Sequence, residues 1–279
     1  MCDGTRGFAL ARGKLVRMRC GVRSSAIAAL RRWAERHTRP VVDGSGFQSR
    51  QIGDQQYWNS QYVVGSAADE WFIGAEEAAK STIDVLVGAH LQDAINRQQR
   101  PLRVLNLGCG TSRLGDALAN ALTMQLGLDA CVMNVDYSPA AIQTAGEASS
   151  HDRRQHHRVW DATAGTSPPA LPAQPQPAYD LLVDKGTLDA LLFAGQERLV
   201  SYCAALHECL LTRGGAAACD VSPLFVHFTD DESRGELLEA AFPGADSWRV
   251  DCSELELESD AAAGWSTFRF TVSHPADGR

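Results

Sequence analysis

The run DKGTLDAL, residues 184–191, places two carboxylates and one ammonium group directly after the apolar run YDLLV. Lys185 is one of only three lysines in a chain that has 23 arginines, and it lies between Asp184 and Gly186. Charged groups at the end of a buried strand can bind a ligand or move a proton. The same residues can also form a solvated ion pair beside a glycine turn. These eight residues alone leave both interpretations open.

A glycine-rich loop, LGCGTSRLG (107–115), follows an earlier apolar run. Gly108 and Gly110 permit a tight turn and the close approach of a ligand to backbone N–H groups at a helix start. Arg113 occupies the position where a dinucleotide fingerprint needs its third glycine, and no G-K-S/T follows. NAD, FAD and a Walker-type nucleotide site are therefore disfavoured, although a lone G-x-G also describes a simple strand-to-helix turn.

Two acids follow at the ends of the next two apolar runs. Asp136, 26 residues after Gly110, begins DYS, and its carboxylate can accept hydrogen bonds from both hydroxyls of a ribose. Asp161, in WDAT, can accept from an adenine amino group while the Ala162 N–H faces a ring nitrogen. Each acid alone also suits a helix cap or a turn. Together, the glycine loop and these acids predict an adenosine pocket without a pyrophosphate cradle, which suits S-adenosylmethionine.

The elements that must position these residues alternate between strand and helix patterns. The predicted strands are 103–108, 130–136, 158–160, 179–184, 214–222, 247–252 and 266–272. The predicted helices are 76–99, 112–126, 138–148, 196–211 and 231–242. This order is typical of an α/β fold with a doubly wound, mainly parallel sheet, whose ligands bind at the carboxyl ends of the strands. The strand before DKGT is expected beside the first strand, so that their loops share one crevice.

Charge divides the chain into two parts. Residues 1–40 carry ten Lys or Arg against two acids, a net of +8, whereas the other 239 residues carry 16 against 32, a net of −16. The acidic body disfavours nucleic acid as a partner and can attract a basic protein. No apolar run is long enough to span a membrane, and eight cysteines without C-x-x-C give no reason to expect a metal. We expect a basic extension over 1–45 and one domain over 46–275.

These residues resemble the class I S-adenosylmethionine-dependent methyltransferases, and more narrowly the lysine methyltransferases of translation elongation factor 1-alpha. The resemblance covers roughly residues 55–220 and depends on YWNSQY, EWF, LGCGTS, NVDYS, WDAT and DKGTLDALL. It implies a seven-stranded Rossmann-like sheet with an N-terminal helical extension. It also implies an enzyme that transfers one-carbon groups, uses S-adenosyl-L-methionine and acts on a lysine of a protein substrate.

The resemblance also implies roles for matching positions. The N-terminal aromatics would close over the cofactor, whose sulfonium is a cation attracted by aromatic faces, although they also suit simple packing of a helix on the sheet. The implied cofactor-binding residues are Trp58, Tyr62, Trp71, Gly108, Gly110, Asp136, Tyr137, Asp161, Ala162 and Lys185. The chain departs from the group at Asn59 and Gln61, and at Asn106, where methyltransferases commonly have an acid.

The chemistry requires a neutral acceptor amine, yet only about a thousandth of a lysine with pKa near 10.4 is neutral at pH 7.4. Asp184 and Asp189 are the nearest candidates to attract the ammonium, align it and pass its proton to water. The competing functions are methylation of a small molecule and a non-catalytic binding module with this fold. We expect a cytoplasmic monomer; the Arg-rich arm also fits a mitochondrial or plastid transit peptide.

Overall fold

The computed structural model describes ten parts of the chain. These are residues 28, 30–33, 52–64, 70–88, 100–172, 174, 177–211, 223–243, 248–256 and 266–273. Most of the basic extension lies outside the described residues, and the division at residue 45 stays a prediction. The helical residues 30–33 include Leu30 and Trp33, whose side chains are buried in the main core.

One sheet of seven strands forms the centre of the fold, in the order β3-β2-β1-β4-β5-β7-β6. The strands are β1 (Leu102–Leu107), β2 (Ala130–Asp136), β3 (Gln155–Val159), β4 (Leu181–Lys185), β5 (Leu224–Thr229), β6 (Arg249–Leu255) and β7 (Thr267–Ser273). The first five are parallel, and β7 pairs antiparallel with both β5 and β6. The predicted doubly wound, mainly parallel sheet is confirmed, as is the pairing of β4 with β1.

Helices cover both faces of the sheet. They are α1 (Gln55–Val64), α2 (Ala75–Gly88), α3 (Leu114–Leu126), α4 (Pro139–Ala148), α5 (Thr187–Leu192), α6 (Gln196–Leu211) and α7 (Arg234–Ala241). Along β1, Val104 joins the apolar cluster of α2 and α3, whereas Leu105 joins the cluster of α6 and α7. This alternation is the two-residue period of a strand buried on both faces. The layers fix the strand ends on which the site is built.

The strand that pairs with β4 on the side away from β1 is Leu224–Thr229, with all six residues buried; it was not predicted. The predicted strand 214–222 lies outside the described residues. LFVHFT has the β-branched and aromatic residues of a central strand, whereas the alanine-rich GGAAACDVS does not. The third strand is Gln155–Val159 rather than 158–160, because polar residues at the sheet edge conceal the start of a strand.

A row of amides runs from β1 through β2 to the edge strand β3 and explains the departure at Asn106. The Asn106 side chain donates to Asn134 Oδ1 at 2.9 Å, and Asn134 donates to Gln155 Oε1 at 2.8 Å. All three side chains are buried. Asn106 is therefore occupied within the sheet, and it does not line the cavity described below.

The described helices contain none that is long and apolar enough to cross a bilayer.

Candidate functional site

A cavity of about 400 Å³ lies at the carboxyl ends of β1, β2, β3 and β4. Its walls come from the N-terminal segments around α1, the glycine-rich loop, the ends of β2 to β4, and the first two turns of α5 and α6. Ten of the twelve residues that the sequence predicted for the site line this cavity, and the two predicted catalytic acids do not. The volume lies within the range of small-molecule and cofactor sites, about 300–1,000 Å³.

The glycine-rich loop forms the floor at the end of β1. Gly108 and Gly110 have φ values of 58° and 53°, in the region that L side chains rarely adopt. A Cβ on Gly108 would lie 1.8 Å from the Thr187 hydroxyl oxygen, so the loop fits closely against the start of α5. The backbone conformation and the lack of space both require glycine there, which explains the G-x-G pattern physically.

Asp136 fixes the glycine-rich loop from the end of β2. Its carboxylate accepts the Gly110 N–H at 3.0 Å and the Ser138 N–H at 2.8 Å. Burial raises the pKa of Asp136 to about 6, while these N–H groups oppose the rise. The side chain is 5% exposed but lines the cavity, and its remaining lone pairs can accept further hydrogen bonds.

Tyr137, Asp161 and Ala162 form the wall beyond Asp136, at the ends of β2 and β3. The Asp161 carboxylate accepts the N–H of Thr163 at 2.8 Å and its hydroxyl at 2.6 Å. Burial, followed by the charge of Asp136, raises the pKa of the Tyr137 phenol well above its usual value. These residues therefore meet Asp136 in one wall of the cavity.

Three aromatic side chains from the N-terminal segments form the opposite wall. The Trp58 ring stacks on Tyr62 with centroids 5.9 Å apart and lies 5.3 Å from the ring of Trp71. The Trp58 indole N–H donates to the Ile52 carbonyl at 2.6 Å. A Cβ on Gly110 would lie 2.8 Å from the Tyr62 hydroxyl, so this wall approaches the glycine-rich loop closely. All three aromatics line the cavity rather than serving only to pack α1 on the sheet.

An ion pair joins the N-terminal segment to the end of β4. Lys185 Nζ lies 2.5 Å from Glu70 Oε2 and donates to the Trp71 carbonyl at 3.4 Å. The Ser112 hydroxyl also contacts the Glu70 carboxylate, at 2.8 Å. The Lys185 side chain is 7% exposed; burial lowers its pKa and Glu70 partly restores it. Lys185 is thus a wall residue, and its head group is fixed by a residue of the EWF motif.

Asp184 is the first correction that the structure makes to the predicted site. It is fully buried and does not line the cavity. Its carboxylate accepts the N–H groups of Thr187 at 2.8 Å and Leu188 at 3.1 Å, and the Tyr202 hydroxyl at 2.6 Å. It therefore caps the first turn of α5 after Gly186, whose φ is 88°. The expectation that Asp184 contacts a substrate amine is corrected, because its partners enclose it.

Asp189 is the second correction. It is also buried and lies outside the cavity wall, where it accepts the Thr229 hydroxyl at 2.8 Å and Arg234 Nε at 2.7 Å. The buried His227 ring lies between the two acids, 3.6 Å from Asp184 and 3.4 Å from Asp189. Burial is the largest influence on the His227 pKa and lowers it, but the two carboxylates outweigh burial and raise that pKa. The acids belong to a buried network that supports α5.

The sequence missed several residues that line the cavity. Thr187 lies in DKGT and Glu70 lies in EWF. Their positions in these recognised motifs could have indicated that they belong to the site. Tyr202 and Arg198 lie on α6, whose pattern indicates only an amphipathic helix, and nothing in the sequence directs them to the cavity. Among the described residues, no group of three or more His, Cys, Asp or Glu is arranged to hold a metal ion.

Comparison with known families gives a match over most of the sheet. A family model described as "Methyltransferase domain" matches residues 98–259, more than half of the chain. This range begins just before β1 and includes the glycine-rich loop and all the strand-end residues described above. The N-terminal aromatic segments lie outside it.

Two curated relatives show what the chain is similar to. "EEF1A lysine methyltransferase 4" of Bos taurus is 29% identical over 145 residues, which are 51% of this chain and 47% of that protein. "Citrate synthase-lysine N-methyltransferase CSKMT, mitochondrial" of Pongo abelii is 27% identical over 203 residues, 67% of this chain and 72% of that protein. The match covers 62% of the length of "Methyltransferase srdJ" of Neurospora crassa and 66% of "Protein-lysine N-methyltransferase efm4" of Schizosaccharomyces pombe, less than two thirds of each.

Among solved structures, the magnesium protoporphyrin IX methyltransferase ChlM from Synechocystis PCC 6803, with bound SAM, is 12% identical. The alignment covers 83% of this chain and 100% of that one, with a TM-score of 0.49.

Proposed function

This chain belongs to the methyltransferase domain family, and we propose that it is an S-adenosylmethionine-dependent methyltransferase that acts on a lysine of a protein substrate. The observation that carries the proposal is the single cavity that joins the glycine-rich loop, Asp136, Asp161 and the N-terminal aromatics at the carboxyl ends of the parallel strands. In doubly wound sheets this crevice is where ligands bind.

The residues present fit this cofactor. Gly108 and Gly110 line the cavity without side chains, and their positive φ values disfavour any residue that has one. Asp136 offers lone pairs to the two ribose hydroxyls, and Asp161 with Ala162 offers an acceptor and a donor to adenine. The fit of this cofactor therefore rests on the chemistry of the cavity wall as well as on the volume of the cavity.

When bound, the cofactor supplies a methyl group on a positively charged sulfur, open to in-line attack. The faces of Trp58 and Trp71 would stabilise that positive charge, and with Tyr62 they would keep water from the reacting atoms. Alignment of the nucleophile is the main remaining requirement. The aromatic wall and the glycine-rich loop, which both line the cavity, would supply that alignment.

In the proposed mechanism, Glu70 replaces Asp184 and Asp189 as the acid that attracts and aligns the acceptor ammonium. Of the three acids in the cavity wall, Asp136 and Asp161 lie at the ends of β2 and β3, whereas Glu70 lies beside the end of β4. Its side chain lines the cavity and is 30% exposed, so it remains accessible to solvent. We assign Glu70 the role of attracting and orienting the acceptor ammonium, which loses its proton to water before transfer.

For the target, we propose elongation factor 1-alpha or a similar protein. Support comes from the motifs at residues 55–220 and from the name of the bovine relative, while the acidic body suits a basic partner. The second relative is named for a different protein, citrate synthase, so the lysine chemistry is supported more broadly than any one target.

The test incubates the purified chain with tritiated S-adenosylmethionine and a cell lysate, and then with purified elongation factor 1-alpha and citrate synthase. Label on the elongation factor, removed by Asp136→Ala, is the expected result. Label on citrate synthase alone would keep the lysine chemistry and reject the target. Label confined to small molecules would reject the protein substrate, and absence of cofactor binding in calorimetry would reject the proposal as a whole.

A further inference from the structure

Arg198, in the first turn of α6, is a charged residue of the cavity wall that no motif of the chain predicted. We propose that Arg198 is a positioning residue that sets selectivity for adenine by holding Asp161, and that it fixes the N-terminal segment over the same end of the cavity. This inference rests on the proposed function, because it assumes that an adenosine group occupies the wall formed by Asp161 and Ala162.

The guanidinium holds the loop after β3 at two points. Arg198 Nε donates to the Thr163 hydroxyl at 3.1 Å, and one terminal nitrogen lies 3.7 Å from Asp161 Oδ2. The other oxygen of Asp161, Oδ1, is occupied by the N–H and hydroxyl of Thr163. The guanidinium therefore lies beside the oxygen that these Thr163 hydrogen bonds do not reach, and its charge acts on Oδ2. A planar group with several donors suits this arrangement, whereas a lysine ammonium does not reproduce it.

The same guanidinium contacts two other segments. Its central carbon lies 5.8 Å from the centre of the Tyr137 ring, within the range of a cation–π interaction. Its NH1 donates to the Gly53 carbonyl at 2.6 Å. Gly53 in turn packs so tightly against the residues that follow α5 that a Cβ there would lie 2.4 Å from the Ala194 Cα. One side chain thus joins the ends of β2 and β3 to the segment that leads into α1.

This geometry makes a chemical prediction about the base. An oriented Asp161 carboxylate accepts from the adenine amino group, but it repels the carbonyl oxygen that replaces this group in hypoxanthine. If Arg198 sets that orientation, its loss should reduce the discrimination between the two bases. A residue that only stabilises the fold would weaken both ligands equally.

Calorimetry of the full chain with S-adenosylhomocysteine and with S-inosylhomocysteine separates these cases. We expect Arg198→Met to weaken the adenosyl ligand by about tenfold, as for loss of one hydrogen bond to a charged group, and to leave the inosyl ligand nearly unchanged. Arg198→Lys should lie between this variant and the wild type. Arg249→Met is the matched control, because Arg249 is exposed on β6, away from the cavity, and should leave both affinities unchanged.

An unchanged preference in Arg198→Met, or an equal loss for both ligands, would overturn the inference while leaving the proposed function intact. If the wild type binds neither ligand, both the inference about Arg198 and the proposed function are overturned. Thermal denaturation of each variant establishes that it is folded. If Arg198→Met does not fold, Arg198→Lys decides the question by the same two outcomes.

Discussion

Thr187 occupies the space that a side chain on Gly108 would need: a Cβ there would lie 1.8 Å from Oγ1 and 2.9 Å from Cβ of Thr187. The Thr187 hydroxyl also donates to the Leu107 carbonyl at 3.1 Å. This contact joins the glycine-rich loop after β1 to the start of α5 after β4. The two strand-end motifs recognised in the sequence, LGCG and DKGT, are therefore one physical unit.

Gly108→Ala should abolish cofactor binding and lower the free energy of unfolding. The positive φ alone costs about 1–2 kcal/mol, and the clash with Thr187 adds to it. The measurement is calorimetric affinity together with chemical denaturation. Gly127→Ala is a matched control, because Gly127 has a φ of 65° but no neighbouring atom lies within 4 Å of the place that a Cβ would take. Equal losses of cofactor affinity and of unfolding free energy in both variants would show that the contact with Thr187 makes no contribution.

Cofactor affinity should depend on pH through Asp136. Burial raises the pKa of Asp136 to about 6, and only the ionised carboxylate has all its lone pairs free to accept ribose hydroxyls. Affinity should therefore fall as pH decreases below about 6. The Asp136→Asn variant should bind the cofactor more weakly at neutral pH, and its affinity should no longer change near pH 6. Calorimetry between pH 5 and 8 tests this, and an identical pH profile in the variant would contradict the ribose assignment.

The same raised pKa has the opposite effect on stability. Because the folded state holds the Asp136 proton up to about pH 6 and the unfolded chain releases it near its ordinary value, ionisation costs stability as pH rises through that interval. A bound ligand that donates hydrogen bonds to the carboxylate would offset this cost. The stability gained from saturating cofactor should thus increase with pH across the interval.

Asp184→Asn should act mainly on stability. The variant replaces a fully buried carboxylate that accepts from two backbone N–H groups and from Tyr202, and breaking such a network costs about 3–5 kcal/mol. Tyr202→Phe, which removes one of these bonds, should cost about 1–3 kcal/mol. Chemical denaturation measures both. A stable Asp184→Asn variant that had lost turnover with full cofactor affinity would restore the catalytic role first expected for Asp184.

The sequence predicted most of the fold because its signals are local. The alternation of apolar runs with helical periods gives the parallel order, and the acids Asp136 and Asp161 each follow directly from a strand end. The roles of Asp184 and Asp189 were mistaken because position in a motif does not reveal the direction of a side chain. Asp184 turns under Gly186 to cap α5, and only the packed His227 and Tyr202 show why. Arg198 reaches the cavity through tertiary packing, which leaves no local pattern.

The ion pair between Glu70 and Lys185 gives the final prediction, since it joins the N-terminal aromatic segment to the end of β4. Glu70→Gln removes the charge that partly restores the pKa of Lys185 and, in the proposed mechanism, the charge that attracts the acceptor ammonium. We expect kcat/KM for the protein substrate to fall by at least about tenfold, with a smaller loss of cofactor affinity. Glu239→Gln, on the exposed face of α7, is the control.

Lys185→Met separates the two roles of Glu70. If Glu70 serves only to anchor the segment, Lys185→Met and Glu70→Gln should have the same effect, and the double variant should be no worse than either. If Glu70 also receives the acceptor amine, Lys185→Met leaves that carboxylate in place, and the loss of turnover should be smaller than in Glu70→Gln. Single-turnover rates at saturating cofactor measure the difference. Equal rates in the two single variants would leave Glu70 as an anchor and reject its proposed contact with the substrate.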